Sequence, residues 1–288
     1  MSTVSMDLVK ELREKTQVGM MDCKKALEEA NGDIERAIQL LRKKGAAIAA
    51  KRADNATDNG RIEAFIASDS KKGSMVAICC ETDFSANTKD MHDFAKNVAQ
   101  EACKNDGEDK KTLLTKVPEL QNQLDDLLAK ISEKIEVGSL ATYIVENHGA
   151  VNVYIHPGST VGIMIEITSE NELSGSALDE VKQLGKDIGM QVAVHKPAAL
   201  KPAELDPVIV AKERALAEEQ SNDGKKPANI IAKIIENRIN KFFEEVCLEN
   251  QRFIKNDALT IKDYVNSVAT KIGNPLAIKR FVRFAIGR

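Results

Sequence analysis

Few side chains in this sequence are arranged to make or break a bond. The four histidines, His92, His148, His156 and His195, stand singly, and no His-Glu-x-x-His or Cys-x-x-Cys occurs, so no metal site is expected. No phosphate loop of the form Gly-x-x-x-x-Gly-Lys-[Ser/Thr] occurs, and no Gly-x-Gly-x-x-Gly follows a strand. The chain is therefore expected to be no enzyme and to hold no cofactor or nucleotide of its own. Cys79 and Cys80 are neighbours on a strand, point to opposite faces and read as packing residues.

Two segments stand out instead. Glu81-Thr82-Asp83-Phe84-Ser85 puts an aromatic ring in a polar turn straight after an apolar strand. Val18-Gly19-Met20-Met21-Asp22-Cys23-Lys24 puts two methionines at a junction between helices. Methionine suits an adaptable protein contact, and equally fills cores. Each segment thus has two readings, a docking surface or ordinary packing. For Phe84 the packing reading gains from an internal repeat, which aligns it with the apolar Leu173. The exposed reading gains from Glu81 and Asp83, because a buried return must keep both carboxylates solvated.

The elements that carry these segments follow from periodicity. Met6, Val9 and Leu12 share one face of a first helix. A second runs from about Met21 to Ala30, where Asn31-Gly32 stops it. Asp33 caps a third, with Ile34, Ala37, Ile38 and Leu41 on its buried face. The polar stretch Arg52 to Asn59 reads as a linker. Strands follow over Arg61 to Ala67 and Ser74 to Cys80, then a helix with Met91, Phe94, Ala95, Val98 and Ala102 on one face. Pro118 opens another helix that buries Leu120, Leu124, Leu127, Leu128, Ile131 and Ile135, and a strand from about Ser139 to Val145 closes the unit.

That plan recurs. Met75 to Ser85 aligns with Met164 to Ser174 at an offset of 89 residues, and Lys130-Ile131 aligns with Lys271-Ile272 at 141. The added residues lie between about Pro207 and Val246, which read as a helical hairpin. Ser221-Asn222-Asp223-Gly224 is its turn, and small Ala211 and Ala215 face Ile231, Ile234, Ile235, Ile239 and Phe242. The expected fold class is α+β: a three-helix module over 1–52, a linker over 53–60, and a duplicated two-lobed core with small antiparallel sheets. The first lobe takes 61–146, the second 147–206 and 248–288, and the inserted antiparallel arm 207–247.

Composition narrows the partners. Of 288 residues, 43% are apolar and 30% charged, so sizeable cores are expected. No apolar run nears the ~20 residues of a membrane span, and the charged start is unlike a signal peptide. Five cysteines without a secretion signal suit reduced thiols in the cytoplasm. Net charge is −3, with +3 in residues 1–52 and +5 in 271–288. So small a basic excess does not suit a phosphate backbone, and eleven aromatic residues without tryptophan suit stacked bases poorly, so protein is the expected partner.

Met20-Met21-Asp22-Cys23-Lys24-Lys25-Ala26-Leu27, Ala30-Asn31-Gly32-Asp33 and Cys80-Glu81-Thr82-Asp83-Phe84 together resemble the elongation factor Ts family. Its members are bacterial nucleotide-exchange factors for the translational GTPase elongation factor Tu, and the resemblance covers the whole chain. It implies a ubiquitin-associated-like (UBA-like) N-terminal module that docks on the GTPase domain through Val18, Gly19, Met20, Met21, Asp22 and Lys24. It also implies that Thr82, Asp83, Phe84 and Ser85 enter between partner helices and disturb the magnesium and phosphate end of the GDP site. Thr82 and Asp83 would hold that turn, and the second lobe would add contacts. Two departures stand: Ser85 replaces a common valine, and Gly287-Arg288 follows the last strand without the further helix of some members. The rival readings are a docking module without exchange activity, and an RNA contact by Lys279, Arg280, Arg283 and Arg288.

Overall fold

The computed structural model of the protein describes residues 4–106, 109–221 and 227–287. Three helices come first, α1 (Met6–Thr16), α2 (Met20–Glu29) and α3 (Ile34–Lys51). Ser5 and Asp33 cap the first and third by accepting the N–H groups of Leu8 and Arg36. Asn31 and Gly32, at φ 53° and 86°, make the stop between α2 and α3. Val9, Leu12, Val18, Cys23, Leu27, Ala37 and Leu41 form the shared core. Met6, expected on the buried face, is exposed at the helix's first turn.

The first lobe contains β1 (Asn59–Ile66), β2 (Lys72–Cys80), the single turn α4 (Asp83–Ala86), α5 (Lys89–Lys104), α6 (Lys110–Lys116), α7 (Pro118–Ile131) and β3 (Ile135–Ile144). The second contains β4 (Gly149–Ile155), β5 (Val161–Ser169) and α8 (Gly175–His195). After α9 (Pro207–Ser221) and α10 (Ala228–Val246) it resumes with β6 (Arg252–Phe253), β7 (Asn256–Thr260), α11 (Ile261–Ile272) and β8 (Leu276–Ala285). Two antiparallel sheets result, ordered β1-β2-β3 and β4-β5-β8, beside a small β6-β7 pair. Helices α5 and α7 cover the outer face of one sheet, and α8 and α11 that of the other. The inner faces meet through Ile62, Met75, Tyr143, Val151, Met164 and Phe284, giving four layers, helix–sheet–sheet–helix. Among the described residues no helix is long and apolar enough to cross a membrane.

The strand register repeats at the offsets read from sequence. Met75 pairs with Ala141 and Met164 with Val282, and the ladder is irregular at Ala77/Ile78 in one sheet and at Glu166/Ile167 in the other. The contacts between sheets repeat as well. Val151 donates its N–H to the Ser70 carbonyl at 2.8 Å, and Ile62 donates to that of Ser159 at 2.7 Å. A Cβ on Gly73 would lie 2.8 Å from Val151 Cγ1, and one on Gly162 would lie 2.6 Å from Ile62 Cγ2. The two lobes therefore relate by a local twofold, each glycine admitting the other lobe's edge strand.

Several expectations are corrected. The bundle is not held at arm's length by a linker. Helix α3 lies on α7, where a Cβ on Gly45 would come within 2.5 Å of the Ala129 backbone nitrogen, and Arg42 donates to both Asp126 oxygens at 2.6 and 2.8 Å. The supposed linker is tied down too, since Lys134 Nζ donates to the carbonyls of Ala53 and Asn55, and β1 already begins at Asn59. Ile135 is not helical. Ser132, at φ 60°, ends α7, and Ile135 pairs with Cys80 as the first residue of β3. Ala211 and Ala215 are exposed, whereas Ala217 packs with Ile231, Ile235, Ile239 and Phe243. The apolar residues of α9 are spread around the helix, so spacing alone does not mark its buried face. The expected turn at 222–224 lies outside the described residues.

Candidate functional site

The turn after β2 is built from short-range hydrogen bonds. Thr82 has the extended backbone of an N-cap, and its Oγ1 accepts the Ser85 N–H at 3.2 Å. The same hydroxyl donates to the Glu133 carboxylate at 2.9 Å. Thr88 then starts a new helix by accepting the Met91 N–H, while its hydroxyl donates to the Ser85 carbonyl at 2.9 Å. The chain is thus broken into α4 and α5, and Phe84 sits on the outer side of the break. Its side chain is 82% exposed, the most exposed large apolar residue among those described.

The four residues singled out in this turn divide in two. Asp83 and Phe84 face solvent, whereas Ser85 is buried and Thr82 is half-buried in the cap. Ser85 therefore belongs to the internal scaffold and offers no contact surface. Among the described residues the Asp83 carboxylate makes no bond that fixes the turn; its carbonyl accepts from Asn87 Nδ2 at 2.8 Å. That job falls to Thr82, to Glu133, and to Glu81, whose carboxylate accepts from the Lys134 N–H at 2.6 Å. The Lys134 N–H chiefly, with Asn55 and Arg52, holds the Glu81 carboxyl below its ordinary range. Glu133 escaped sequence reasoning because its partner lies 51 positions away.

The α1–α2 junction divides similarly. Val18 is 4% exposed and belongs to the bundle core, so it is removed from the expected docking set. Met20 and Met21 are 41% and 64% exposed. Asp22 is paired with Lys44 at 2.5 Å, and Lys24 lies 3.9 Å from Glu28. Gly19 has φ −56°, and a Cβ there would meet nothing within 4 Å. The chain itself does not require glycine at that position. Lys130 links the end of α1 to the start of α5, donating to Gln17 Oε1 at 2.5 Å and pairing with Asp90.

Other candidates are accounted for internally. Burial pushes the Cys80 thiol up to about 11, leaving no thiolate for chemistry near neutral pH. Lys279 pairs with Glu146 at 3.2 Å, and Arg280 donates to the fully buried Glu166 at 2.6 Å while lying 4.1 Å over the Tyr143 ring. These two cations of the basic tail thus serve the join between sheets, and Arg288 lies outside the described residues.

Comparison with known proteins agrees across the length of the chain. A sequence model of the family described as "Elongation factor TS" matches residues 81–288. The protein named "Elongation factor Ts" from Clostridioides difficile (strain 630) is 38% identical over 291 residues, covering 100% of this chain and 94% of its own length. That from Chloroherpeton thalassium (strain ATCC 35110 / GB-78) is 35% identical over 294 residues, covering 100% and 99%. That from Nitratidesulfovibrio vulgaris (strain DP4) is 33% identical over 284 residues, covering 99% and 96%. With its motifs, its exposed turn and this extent of likeness, the chain belongs to the elongation factor Ts family.

Proposed function

We propose that this chain is a cytoplasmic exchange factor that binds elongation factor Tu carrying GDP and promotes release of the nucleotide. The observation that carries this reading is Phe84, an aromatic ring 82% exposed on a turn fixed by Thr82, Ser85 and Glu133. A large apolar side chain held out on a stiff turn gains energy only by entering a partner. In this reading Phe84 enters between helices of the GTPase domain and disturbs the magnesium and phosphate end of the site, with Asp83 beside it facing the partner.

The bundle over 1–52, taken as a UBA-like docking module, supplies further binding through Gly19, Met20 and Met21, with Asp22 and Lys24 at its rim. Gly19 supports this, because close approach by another molecule is a reason for glycine that the chain itself does not provide. Linkage sets the scale. Each ~1.4 kcal/mol of coupling shifts affinity tenfold, and burying one phenylalanine offers ~1.5–3 kcal/mol. The ring alone thus accounts for one or two powers of ten, and the bundle and second lobe must add binding that opposes GDP. The incoming nucleotide expels the factor by the same coupling, and no bond is made or broken. We take the partner to be protein alone, without nucleic acid, membrane or directly bound nucleotide.

Stopped-flow release of a fluorescent GDP from elongation factor Tu tests the proposal, with acceleration at micromolar factor as the expected result. Binding without acceleration would leave a docking module and overturn the exchange reading.

A further inference from the structure

We infer that Glu81 is a positioning residue for exchange, tying the Phe84 turn to the end of α3 so that the bundle and the exposed ring act as one rigid surface. Its carboxylate accepts Arg52 Nη1 at 2.9 and 3.1 Å, Asn55 Nδ2 at 2.8 Å and the Lys134 N–H at 2.6 Å. Its carbonyl accepts Asn59 Nδ2 at 2.8 Å. Arg52 is the residue that ends α3, and Lys134 stands just before β3. One side chain, 14% exposed, thereby joins three segments directly beside the cap of α4.

The repeat supplies an internal control. Glu81 corresponds to Glu170, and Lys134 to Pro275. Proline has no N–H to donate, and the relation is inverted: Glu170 donates its own N–H to the Pro275 carbonyl at 3.2 Å. The Glu170 side chain is exposed, with no hydrogen bond or ion pair among the described residues. The neighbouring contact is kept in both lobes, Thr82 with Glu133 in one and Asn171 with Asn274 in the other. That contact belongs to the shared framework. The Glu81 cluster exists only where an apolar ring is presented, which separates it from what the fold alone requires.

The inference rests on the proposed exchange role, and its test has a second readout that does not. GDP release is measured against factor concentration for the unmodified chain, Glu81→Ala, Glu81→Gln, Arg52→Ala and Glu170→Ala. Amide hydrogen exchange over residues 82–88 is followed in the same free proteins. Glu81→Ala and Arg52→Ala are expected to lower the maximal rate roughly tenfold and shift the half-saturating concentration by less than about twofold. Exchange over 82–88 should rise by a similar factor, Glu81→Gln should fall between, and Glu170→Ala should change neither readout. A raised half-saturating concentration with an unchanged maximum would make Glu81 a plain contact and overturn the inference. Unaltered protection over 82–88 would overturn it too. Should the unmodified chain fail to accelerate release, the exchange reading falls and the protection of 82–88 alone decides. Should Glu81→Ala not fold, Glu81→Gln and Arg52→Ala decide in its place.

Discussion

Phe84 and Leu173 occupy the same place in the two lobes, yet the first is 82% exposed and the second 7%. Each follows a central strand buried on both faces, β2 or β5, and each precedes a helix that covers its sheet. The difference lies in how that helix begins. In the second lobe α8 runs unbroken from Gly175, and Leu173 folds under it into the core. In the first, Asn87 and Thr88 interrupt the helix, Thr88 caps a fresh start, and the preceding turn is carried outward with its ring. Apolar character at a repeated position therefore says nothing about direction. Direction is set three to four residues later, by whether the backbone is capped or continues.

The largest expected effect tests how the lobes are supported. Helix α3 leans on α7 in the first lobe, so deleting residues 1–52 should uncover the Ala129 face and strip Arg52 from Glu81. The melting temperature is expected to fall by at least about 5 °C, together with loss of binding to elongation factor Tu. Unchanged melting would show the bundle to be a tethered module after all.

Next comes the pair itself. Leu173→Ala should cost ~2–5 kcal/mol of stability, as for other buried leucines, while exchange per folded molecule stays constant. Phe84→Ala should do the reverse, lowering maximal GDP release about ten- to a hundredfold with little change in the melt. A large drop in melting temperature for Phe84→Ala would place the ring in the core and erase the contrast. A smaller effect is expected at the junction. Gly19→Ala has open space for its methyl and an ordinary φ, so the melt should not move. Affinity for elongation factor Tu, by titration calorimetry, should weaken several-fold, on the order of 1 kcal/mol. Undiminished affinity would mean that no partner atom approaches Gly19.

The repeat, the register offsets and the helical stripes were legible because they depend on local periodicity, and β-pairing conserves it. Met75 and Met164, or Ala141 and Val282, can be matched by counting. The docking of α3 on α7 was not legible. It depends on one glycine meeting one alanine 84 positions away, a contact without any period. The polar run 53–60 reads as a linker for the same reason, since its start is fixed by the distant Lys134. Within the candidate site, Phe84, Asp83, Met20 and Met21 were visible as residue types out of place. Val18 and Ser85 were not separable from them, because adjacent positions in a turn differ in burial by backbone direction alone. Glu81 was noticed only as a flanking charge, since its partners come from three segments.

The smallest expected effect separates the two glutamates by pH. The Lys134 N–H first, then Asn55 and Arg52, stabilise the charged form of Glu81, so its carboxyl titrates below the ordinary value of 4.5. A carboxyl depressed on folding adds stability that is complete above the unfolded value and is lost as pH falls through the folded one. The gap in melting temperature between the unmodified chain and Glu81→Gln should therefore be constant near neutrality and shrink steadily below pH 4.5. The sign follows because protonated glutamic acid and glutamine are both uncharged, and Arg52 then loses its charged partner in either protein. Asp93, Asp106, Asp109 and Asp263 are also held low by their own hydrogen bonds, so absolute melting curves steepen in acid for all variants. Only the difference isolates Glu81. At neutral pH, Glu170→Gln should leave the melt within error, as an exposed side chain without bonds among the described residues. A gap for Glu81→Gln that stays constant from pH 7 down to about 3 would mean that its charge takes no part in holding the turn.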